Sequence, residues 1–219
     1  MTRAQARALE TLWPRYRIDV APVAIDWSHA FGRSAPLFVE IGFGMGHALL
    51  ATARAHPDWN CIGIEVYRPG IGAVLNAVEA AGLANVRLIE GDARDVLANM
   101  LVENALHRIA IYFPDPWPKA KHHKRRLINA EFVALAASRL EEGAELHLAT
   151  DWQDYAEEMR TVLDAEPTLE NLAGVGAFAP RNAERPTTRF EARGERLGHH
   201  VWDFSYRRRH RNSLTTLSR

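Results

Sequence analysis

Short apolar runs recur along the chain from Leu37 onward. Each is five to seven residues long and too apolar to leave one face in water, which is the pattern of a strand buried on both sides of a sheet. The pattern therefore predicts five strands, whose sequences are LFVEIG (37–42), CIGIEV (61–66), VRLIEGD (86–92), IAIYF (109–113) and ELHLATD (145–151).

Amphipathic stretches separate these runs and have the spacing of helices. Pro57, Gly82 and Gly143 stand where three of these helices are predicted to end. Strands and helices that alternate in this way predict an α/β protein with a doubly wound, mostly parallel sheet and helices on both faces. The predicted helices are HALLATARAH (47–56), GIGAVLNAVEAAGL (70–83), ARDVLANML (93–101), LINAEFVALAASRLEEG (127–143) and WQDYAEEMRTVLDAE (152–166).

The two ends of the chain lack this alternation. Residues 1–34 are rich in arginine and are interrupted by Pro14 and Pro22, so we predict a basic N-terminal arm, loosely packed or mobile, with no assigned helix or strand. A single domain is predicted over residues 35–209. Its last part is predicted to contain loops over 167–200, a short strand at 169–173 and a late strand over 201–209, before a frayed tail over 210–219.

Composition narrows the class of protein. The formal net charge is zero, with 27 basic and 27 acidic side chains among 219 residues, so any nucleic-acid site must be a local patch. No stretch reaches the roughly 18 apolar residues of a membrane span, and the charged N-terminus lacks the apolar segment of an export signal. A single cysteine, Cys61, excludes an intramolecular disulfide. We therefore expect a cytoplasmic protein without a membrane span.

A glycine-rich turn follows the first predicted strand. Gly42, Gly44 and Gly46 carry no side chain and permit positive φ angles, so the backbone there can approach a nucleotide-like cofactor. The spacing is GxGxG, and His47 stands where the dinucleotide fingerprint has its third glycine. This spacing favours S-adenosylmethionine over a nicotinamide dinucleotide. A tight turn without a ligand is the alternative.

Acidic residues stand at or near the carboxyl ends of four predicted strands. Because parallel strands end at one edge of a sheet, these residues should line one crevice. Their carboxylates suit a cofactor that carries an ammonium, a sulfonium, a ribose diol and an adenine amine. A helix N-cap is the alternative for Glu65 and Asp92. The four predicted cofactor-binding acids are Glu40, Glu65, Asp92 and Asp115.

The stretch after the fourth predicted strand combines an acid with a dense group of cations. Three prolines prevent regular structure around Asp115 and Trp117, and five Lys or Arg side chains with two histidines follow within eight residues. This density suits a phosphate-rich partner, with solvated surface as the alternative. Adjacent histidines among cations argue against a metal site. We call Lys119, Lys121, His122, His123, Lys124, Arg125 and Arg126 the basic loop.

Two later clusters extend the predicted substrate site. Asp151 ends the fifth strand at the same edge of the sheet, with helix capping as the alternative. A Thr, Arg and Glu set further on can hydrogen-bond a base edge or a ribose, while nearby arginines neutralise phosphates. This second cluster contains Thr187, Thr188, Arg189, Phe190 and Glu191, together with Arg185, Arg193 and Arg196.

These motifs form a set with a known counterpart. The segments are VEIGFGMGHALL, GIEVYRPG, GDARDVL, YFPDPWPKAKHHKRR, LATDWQDYAEEM and TTRFEARGERLGHHVWDF. The set resembles the bacterial tRNA (guanine-N7-)-methyltransferases over residues 37–206. FPDPW with the basic loop, and TRFE, make the resemblance specific, because methyltransferases in general lack them. It implies a Rossmann-like class I fold with a seven-stranded sheet and an antiparallel late strand.

The resemblance also implies an activity and a site. Such an enzyme transfers a methyl group from S-adenosylmethionine to N7 of a tRNA guanine, namely the variable-loop guanine at position 46. Carried over by motif, the cofactor contacts fall on the four acids. From the chemistry of methyl transfer we also expect Asp115 to be catalytic, because it can stabilise the charge that moves from sulfur to the purine. The substrate contacts fall on Lys119, Lys121, His122, His123, Lys124, Arg125, Arg126, Asp151, Thr188, Arg189, Phe190 and Glu191.

Two other classes of protein stay open from the sequence. A nicotinamide-dependent oxidoreductase would share the glycine turn and Glu65, and a non-catalytic RNA-binding protein could keep the same fold. The chain departs from the family at Pro118, often histidine, and at Arg189, often lysine. We expect tRNA as the partner and neither a metal nor a membrane. Monomer and homodimer are both possible.

Overall fold

The structure is a computed structural model that describes residues 1–186, 191 and 200–210. Contacts divide the chain into two compact units. The first consists of residues 1–102 and 184–186, and the second of residues 103–183 and the chain from 187 onward. The predicted single domain, residues 35–209, therefore contributes to both units.

The first unit contains a three-stranded parallel sheet. Strands β1 (Leu37–Ile41), β2 (Asn60–Glu65) and β3 (Val86–Glu90) lie in the order β3-β2-β1. Every residue of β1 and β2 is buried, as the apolar runs predicted. The helices α4 (His47–Ala55) and α5 (Arg68–Ala81) connect these strands. After β3 comes the short helix α6 (Ala93–Asp95), which continues as a π-helix over Val96–Met100.

The N-terminal segment contains helices that the sequence analysis did not assign. They are α1 (Arg3–Thr11), α2 (Trp13–Tyr16) and α3 (Trp27–Phe31). The first begins with a capping box, in which Thr2 and Gln5 each bond the other's backbone N–H. This helix packs closely on α5. The space between them is so narrow that a Cβ added at Gly72 would lie 2.6 Å from the carbonyl oxygen of Gln5. The Thr-x-x-Gln pattern is the signal that was missed.

The second unit contains the remaining four strands. Strand β4 (Leu106–Tyr112) pairs in parallel with β5 (Leu140–Thr150), and β7 (Trp202–Arg208) pairs antiparallel with both β5 and β6 (Leu169–Asn171). Helices α7 (Ala130–Arg139) and α8 (Gln153–Ala165) belong to the same unit. The strand order β3-β2-β1-β4-β5-β7-β6 confirms the predicted fold class, including the antiparallel late strand. None of the helices described here has the length and apolarity that a membrane crossing needs.

One predicted helix end was wrong. The predicted helix over 127–143 ends at Arg139, and the following residues already belong to β5. The pairing of β5 with β4 shifts between Leu106 and Arg108, and Gly143 adopts a positive φ of 82° beside this irregularity. Gly143 therefore permits an irregular part of a strand rather than ending a helix.

Candidate active site

The glycine turn of the first unit is fixed by the carboxylate of Glu65. Oε2 of Glu65 accepts a hydrogen bond from the Gly44 N–H at 2.7 Å, and Oε1 accepts from the N–H groups of Val66 and Tyr67 at 2.7 and 2.9 Å. Glu65 thus joins the end of β2 to the turn after β1. The predicted glycines all adopt positive φ angles, which are 69° at Gly42, 52° at Gly44 and 75° at Gly46.

The first turn of α5 packs directly against this glycine turn. A Cβ added at Gly70 would lie 2.0 Å from the carbonyl oxygen of Gly44, so no larger residue fits without moving the backbone. Gly70 was not among the predicted site residues. Its signal is the YRPG sequence, in which a glycine follows a proline at the start of a helix.

Glu40 is a buried carboxyl group near the end of β1. Only 3% of the residue is exposed, and Oε2 accepts no hydrogen bond from any residue that the structure describes. Burial raises the pKa of Glu40 to about 8, and the nearby Glu65 carboxylate adds to the rise. A buried polar atom without a partner is unfavourable, so a cationic group or hydrogen-bond donor of a ligand would be stabilised here.

Asp92 is an exposed residue at the start of α6. Its Oδ1 accepts a hydrogen bond from the Arg94 N–H at 2.7 Å, so Asp92 caps this helix. This is the alternative that the sequence left open. A carboxylate has further lone pairs, so the capping bond is compatible with the predicted cofactor role, which stays a prediction.

The residues of the first unit fit S-adenosylmethionine. Glu40 presents an unsatisfied buried oxygen, and Glu65 is held in a fixed orientation beside the turn. A Cβ added at Gly42 or Gly44 would meet no other atom within 4 Å, so open space adjoins the turn. A carboxyl group for an ammonium, a fixed carboxylate for hydroxyl groups and an open backbone turn match the polar groups of this cofactor.

The proline-rich segment after β4 presents Asp115 in the second unit. Phe113 and Trp117 adopt positive φ angles of 53° and 45°, which is unusual for large side chains. The Phe113 N–H donates to the Ala149 carbonyl at 2.8 Å and so fixes the start of the segment to β5. Asp115 is exposed between these two strained positions. Strained backbone of this kind is common at functional sites.

The basic loop contains a short 3₁₀ helix over Ala120–Arg125. The indole ring of Trp117 packs against it, with the Arg125 guanidinium 5.0 Å from the ring centre and the His122 ring edge-on at 5.9 Å. Four cations of the basic loop are exposed and could contact a polyanion: Lys119, Lys121, Lys124 and Arg125.

Arg126 differs from the other cations of the basic loop. Only 1% of it is exposed, and its guanidinium donates to Asp154 and Glu158 of α8. Burial opposes the charge, but the hydrogen bonds to Asp154 and Glu158 outweigh this and raise the pKa of Arg126. His123 also faces α8, with Nε2 3.7 Å from Asp154 Oδ2. The prediction that Arg126 contacts RNA is therefore corrected, because its side chain binds within the protein.

The remaining predicted substrate residues lie at and after the end of β5. Asp151 is half-buried, and Trp152 rather than Asp151 is the N-cap residue of α8. Glu191 is buried, and its Oε1 lies 3.5 Å from Nε of Arg181. Thr188, Arg189 and Phe190 lie outside the described residues.

The sequence predicts that the histidines of the basic loop do not hold a metal ion. Over residues 1–186, 191 and 200–210, no group of three or more His, Cys, Asp or Glu side chains is arranged to hold a metal ion.

The glycine turn and Glu40 lie in the first unit, whereas Asp115 and the basic loop lie in the second. The predicted crevice with all four acids therefore stays a prediction.

Comparisons with solved structures define the class of fold. The 16S rRNA methyltransferase KamB has a TM-score of 0.59 at 15% identity, covering 85% of this chain and 95% of that one. The antibiotic-resistance methyltransferase Kmr has a TM-score of 0.56 at 14% identity, covering 84% and 92%. At such low identity these similarities show the fold alone, which is that of Rossmann-like class I methyltransferases.

Sequence comparisons define the family. A family model described as a putative methyltransferase matches residues 34–204. The tRNA (guanine-N(7)-)-methyltransferase of Pseudomonas fluorescens (strain SBW25) is 50% identical over 206 residues, which are 94% of this chain and 86% of that protein. That of Alkalilimnicola ehrlichii is 50% identical over 211 residues, 95% and 89% of the two chains. This chain belongs to the tRNA (guanine-N7-)-methyltransferase family, and the comparisons do not support the nicotinamide-dependent alternative.

Proposed function

We propose that this protein methylates N7 of the variable-loop guanine at position 46 of tRNA, with S-adenosylmethionine as methyl donor. Family membership at 50% identity supports the reaction and the tRNA substrate. The observation that carries the proposal is the basic loop, in which four exposed cations follow Asp115 within ten residues. A methyltransferase that acts on a small molecule has no need of such a surface, whereas a tRNA backbone does.

The chemistry demands positioning more than proton transfer. N7 of neutral guanine carries a lone pair and no proton, so no general base is required. When bound, S-adenosylmethionine would supply a methyl group bonded to its sulfonium sulfur, and the S–methyl bond would break to leave an uncharged thioether. The protein has to hold the purine in line with that methyl group and stabilise the positive charge that the purine gains. The exposed carboxylate of Asp115 is suited to this electrostatic role, and we assign it as the catalytic residue.

The proposal assigns a separate role to each unit. In the first unit, Glu40 would bind the cofactor's ammonium and Glu65 its ribose hydroxyls, with Asp92 near the adenine. In the second unit, the four exposed cations would bind tRNA phosphates, and Asp151 would contact the base or ribose. His122 and His123 stay in the proposed substrate site, as do Thr188, Arg189, Phe190 and Glu191. Arg126 is left out, because its guanidinium faces α8.

A methylation assay tests the proposal. The protein would be incubated with labelled S-adenosylmethionine and unmodified tRNA, and the product cleaved chemically at 7-methylguanine. The expected result is label in the tRNA before cleavage and a single strand break in the variable loop after it. A tRNA with adenine at position 46 is the matched control and should stay unlabelled. If label stays with the protein, or reaches no RNA, the proposal fails.

Three further properties complete the proposal. We place the reaction in the cytoplasm, since the only cysteine, Cys61, is buried and cannot form an intramolecular disulfide. The proposed chemistry uses no metal, so activity should be unchanged by a chelator. Monomer and homodimer are both compatible with the proposed site, and ultracentrifugation of the active protein would distinguish them.

A further inference from the structure

The buried guanidinium of Arg126 donates hydrogen bonds to three acceptors within the protein. Nε donates to the Pro116 carbonyl at 2.9 Å, Nη2 donates to Asp154 at 2.6 Å, and Nη1 donates to Glu158. The guanidinium carbon also lies 4.7 Å from the ring centre of Tyr155. A single buried side chain thus connects the segment before the basic loop to helix α8.

The Pro116 contact closes a loop in the chain. Pro116 and Arg126 are ten residues apart in sequence, and the 3₁₀ helix of the basic loop lies between them. Asp115 directly precedes Pro116, so the position of the Pro116 carbonyl constrains the position of Asp115. Prolines at 114, 116 and 118 have no backbone N–H to donate, which makes a side-chain donor to this segment more important.

We propose that Arg126 is a positioning residue for methyl transfer. Its guanidinium fixes the basic loop to α8 and, through the Pro116 carbonyl, holds Asp115 in the orientation that the reaction needs. This inference rests on the proposed function. The geometry requires arginine, because only a planar guanidinium donates at once to a carbonyl and to two carboxylates in these directions. Lysine would keep the charge but could not maintain all three bonds.

Arg126→Lys tests the proposal through the separate kinetic constants. Displacing a catalytic group by about 1 Å can lower the rate by up to about 100-fold, so kcat should fall on the order of 10-fold. The exposed cations are unchanged, so the KM for tRNA and the salt dependence of tRNA binding should change by less than about 2-fold. A purely structural role would instead reduce the folded fraction, and thus the melting temperature, without this division between kcat and KM.

Arg160→Lys is the matched control. Arg160 lies on α8, the helix that Arg126 contacts, and it likewise donates to a carboxylate, Glu157, and to a backbone carbonyl, that of Gly176. Its guanidinium also lies 5.1 Å from the ring centre of Phe178. It does not contact the basic loop, so the control should keep the wild-type kcat. Equal kcat values in the two lysine variants would overturn the inference.

Glu158→Gln keeps the inference testable if Arg126→Lys does not fold. It weakens one bond of the anchor, so kcat should fall by about 3-fold with an unchanged melting temperature, and an unchanged kcat would overturn the inference. If Arg126→Lys does fold, Glu158→Gln in that background should have a smaller effect than alone, because the two residues act through one contact. If the wild-type protein itself transfers no methyl group to tRNA, the proposed function fails instead.

Discussion

The two halves of the proposed site are held in place in different ways. Around the glycine turn, the N–H groups of Gly44, Val66 and Tyr67 donate to the carboxylate of Glu65. Val66 and Tyr67 directly follow Glu65 in the sequence, and Gly44 lies close to it in the fold. Around Asp115, a segment with three prolines depends on a side chain ten residues away. The cofactor half is thus built from regular strands and tight turns, and the substrate half from an irregular loop with a side-chain anchor.

This difference explains which parts the sequence predicts. Strand ends and glycine spacing are local patterns. They correctly placed Glu40 and Glu65 near the carboxyl ends of β1 and β2, and Gly44 in the turn after β1. The two carboxylates that accept from Arg126 are 28 and 32 residues away in sequence, so no local pattern separates this arginine from Arg125. Charge density identifies a basic loop but not which of its cations faces the protein.

The largest expected effect is that of Asp115→Ala. Removal of a preorganised electrostatic group typically lowers the rate on the order of 100-fold, and we expect that loss in kcat with cofactor binding retained. Single-turnover methylation and calorimetric binding of S-adenosylmethionine measure the two quantities. The control is Asp95→Ala, which also removes one carboxylate, but from helix α6 of the first unit. An unchanged kcat in Asp115→Ala would remove Asp115 from the mechanism.

Neutralising the exposed cations should have the next largest effect. Replacing Lys121, Lys124 and Arg125 by glutamine removes up to three phosphate contacts, so the logarithmic salt slope of tRNA binding should become less steep by up to about 3. Filter binding of tRNA between low and moderate salt measures the slope. Replacing Arg3, Arg7 and Arg54 instead provides a control with the same change in net charge. A slope equal to that of the control would return the basic loop to ordinary solvated surface.

Gly70→Ala tests the close packing in the cofactor half. The added methyl group would collide with the Gly44 carbonyl, and we expect a loss of about 1–3 kcal/mol in the free energy of unfolding together with weaker cofactor binding. Ala80→Gly, at an exposed position of α5, should cost about 1 kcal/mol without affecting cofactor binding. Denaturant unfolding and calorimetry provide both quantities. Equal cofactor affinities in the two variants would contradict the packing argument.

A smaller effect concerns the titration of Glu40. Its pKa of about 8 lies above the ordinary value of 4.5, so the carboxyl group is mostly protonated at neutral pH. The stability that this provides is fully present below pH 4.5 and is lost as pH rises through 8. Glu40→Gln cannot ionise, and its melting temperature relative to wild type should therefore increase between pH 6 and 9. A constant difference across that range would show that Glu40 has an ordinary pKa.

Some of the differences between sequence and structure have identifiable physical causes. Gly143 resembles a helix end, but it lies at a shift in strand pairing, and pairing partners are not visible in a local pattern. The N-terminal helices are short and α1 is polar on average, so no apolar run marks it, whereas the Thr2 and Gln5 capping box does indicate where it begins. The capping of α6 by Asp92 shows that a carboxylate after a strand can serve a helix as well as a ligand.

Binding of the cofactor and of tRNA to two variants tests the central claim most directly. The account predicts that Glu40→Gln weakens the binding of S-adenosylmethionine and leaves the Kd of tRNA unchanged. The triple glutamine variant at Lys121, Lys124 and Arg125 should show the reverse. Calorimetry with the cofactor and filter binding with unmodified tRNA would provide the four dissociation constants. If both variants weakened both ligands to the same extent, the division of the site into a cofactor half and a substrate half would be wrong.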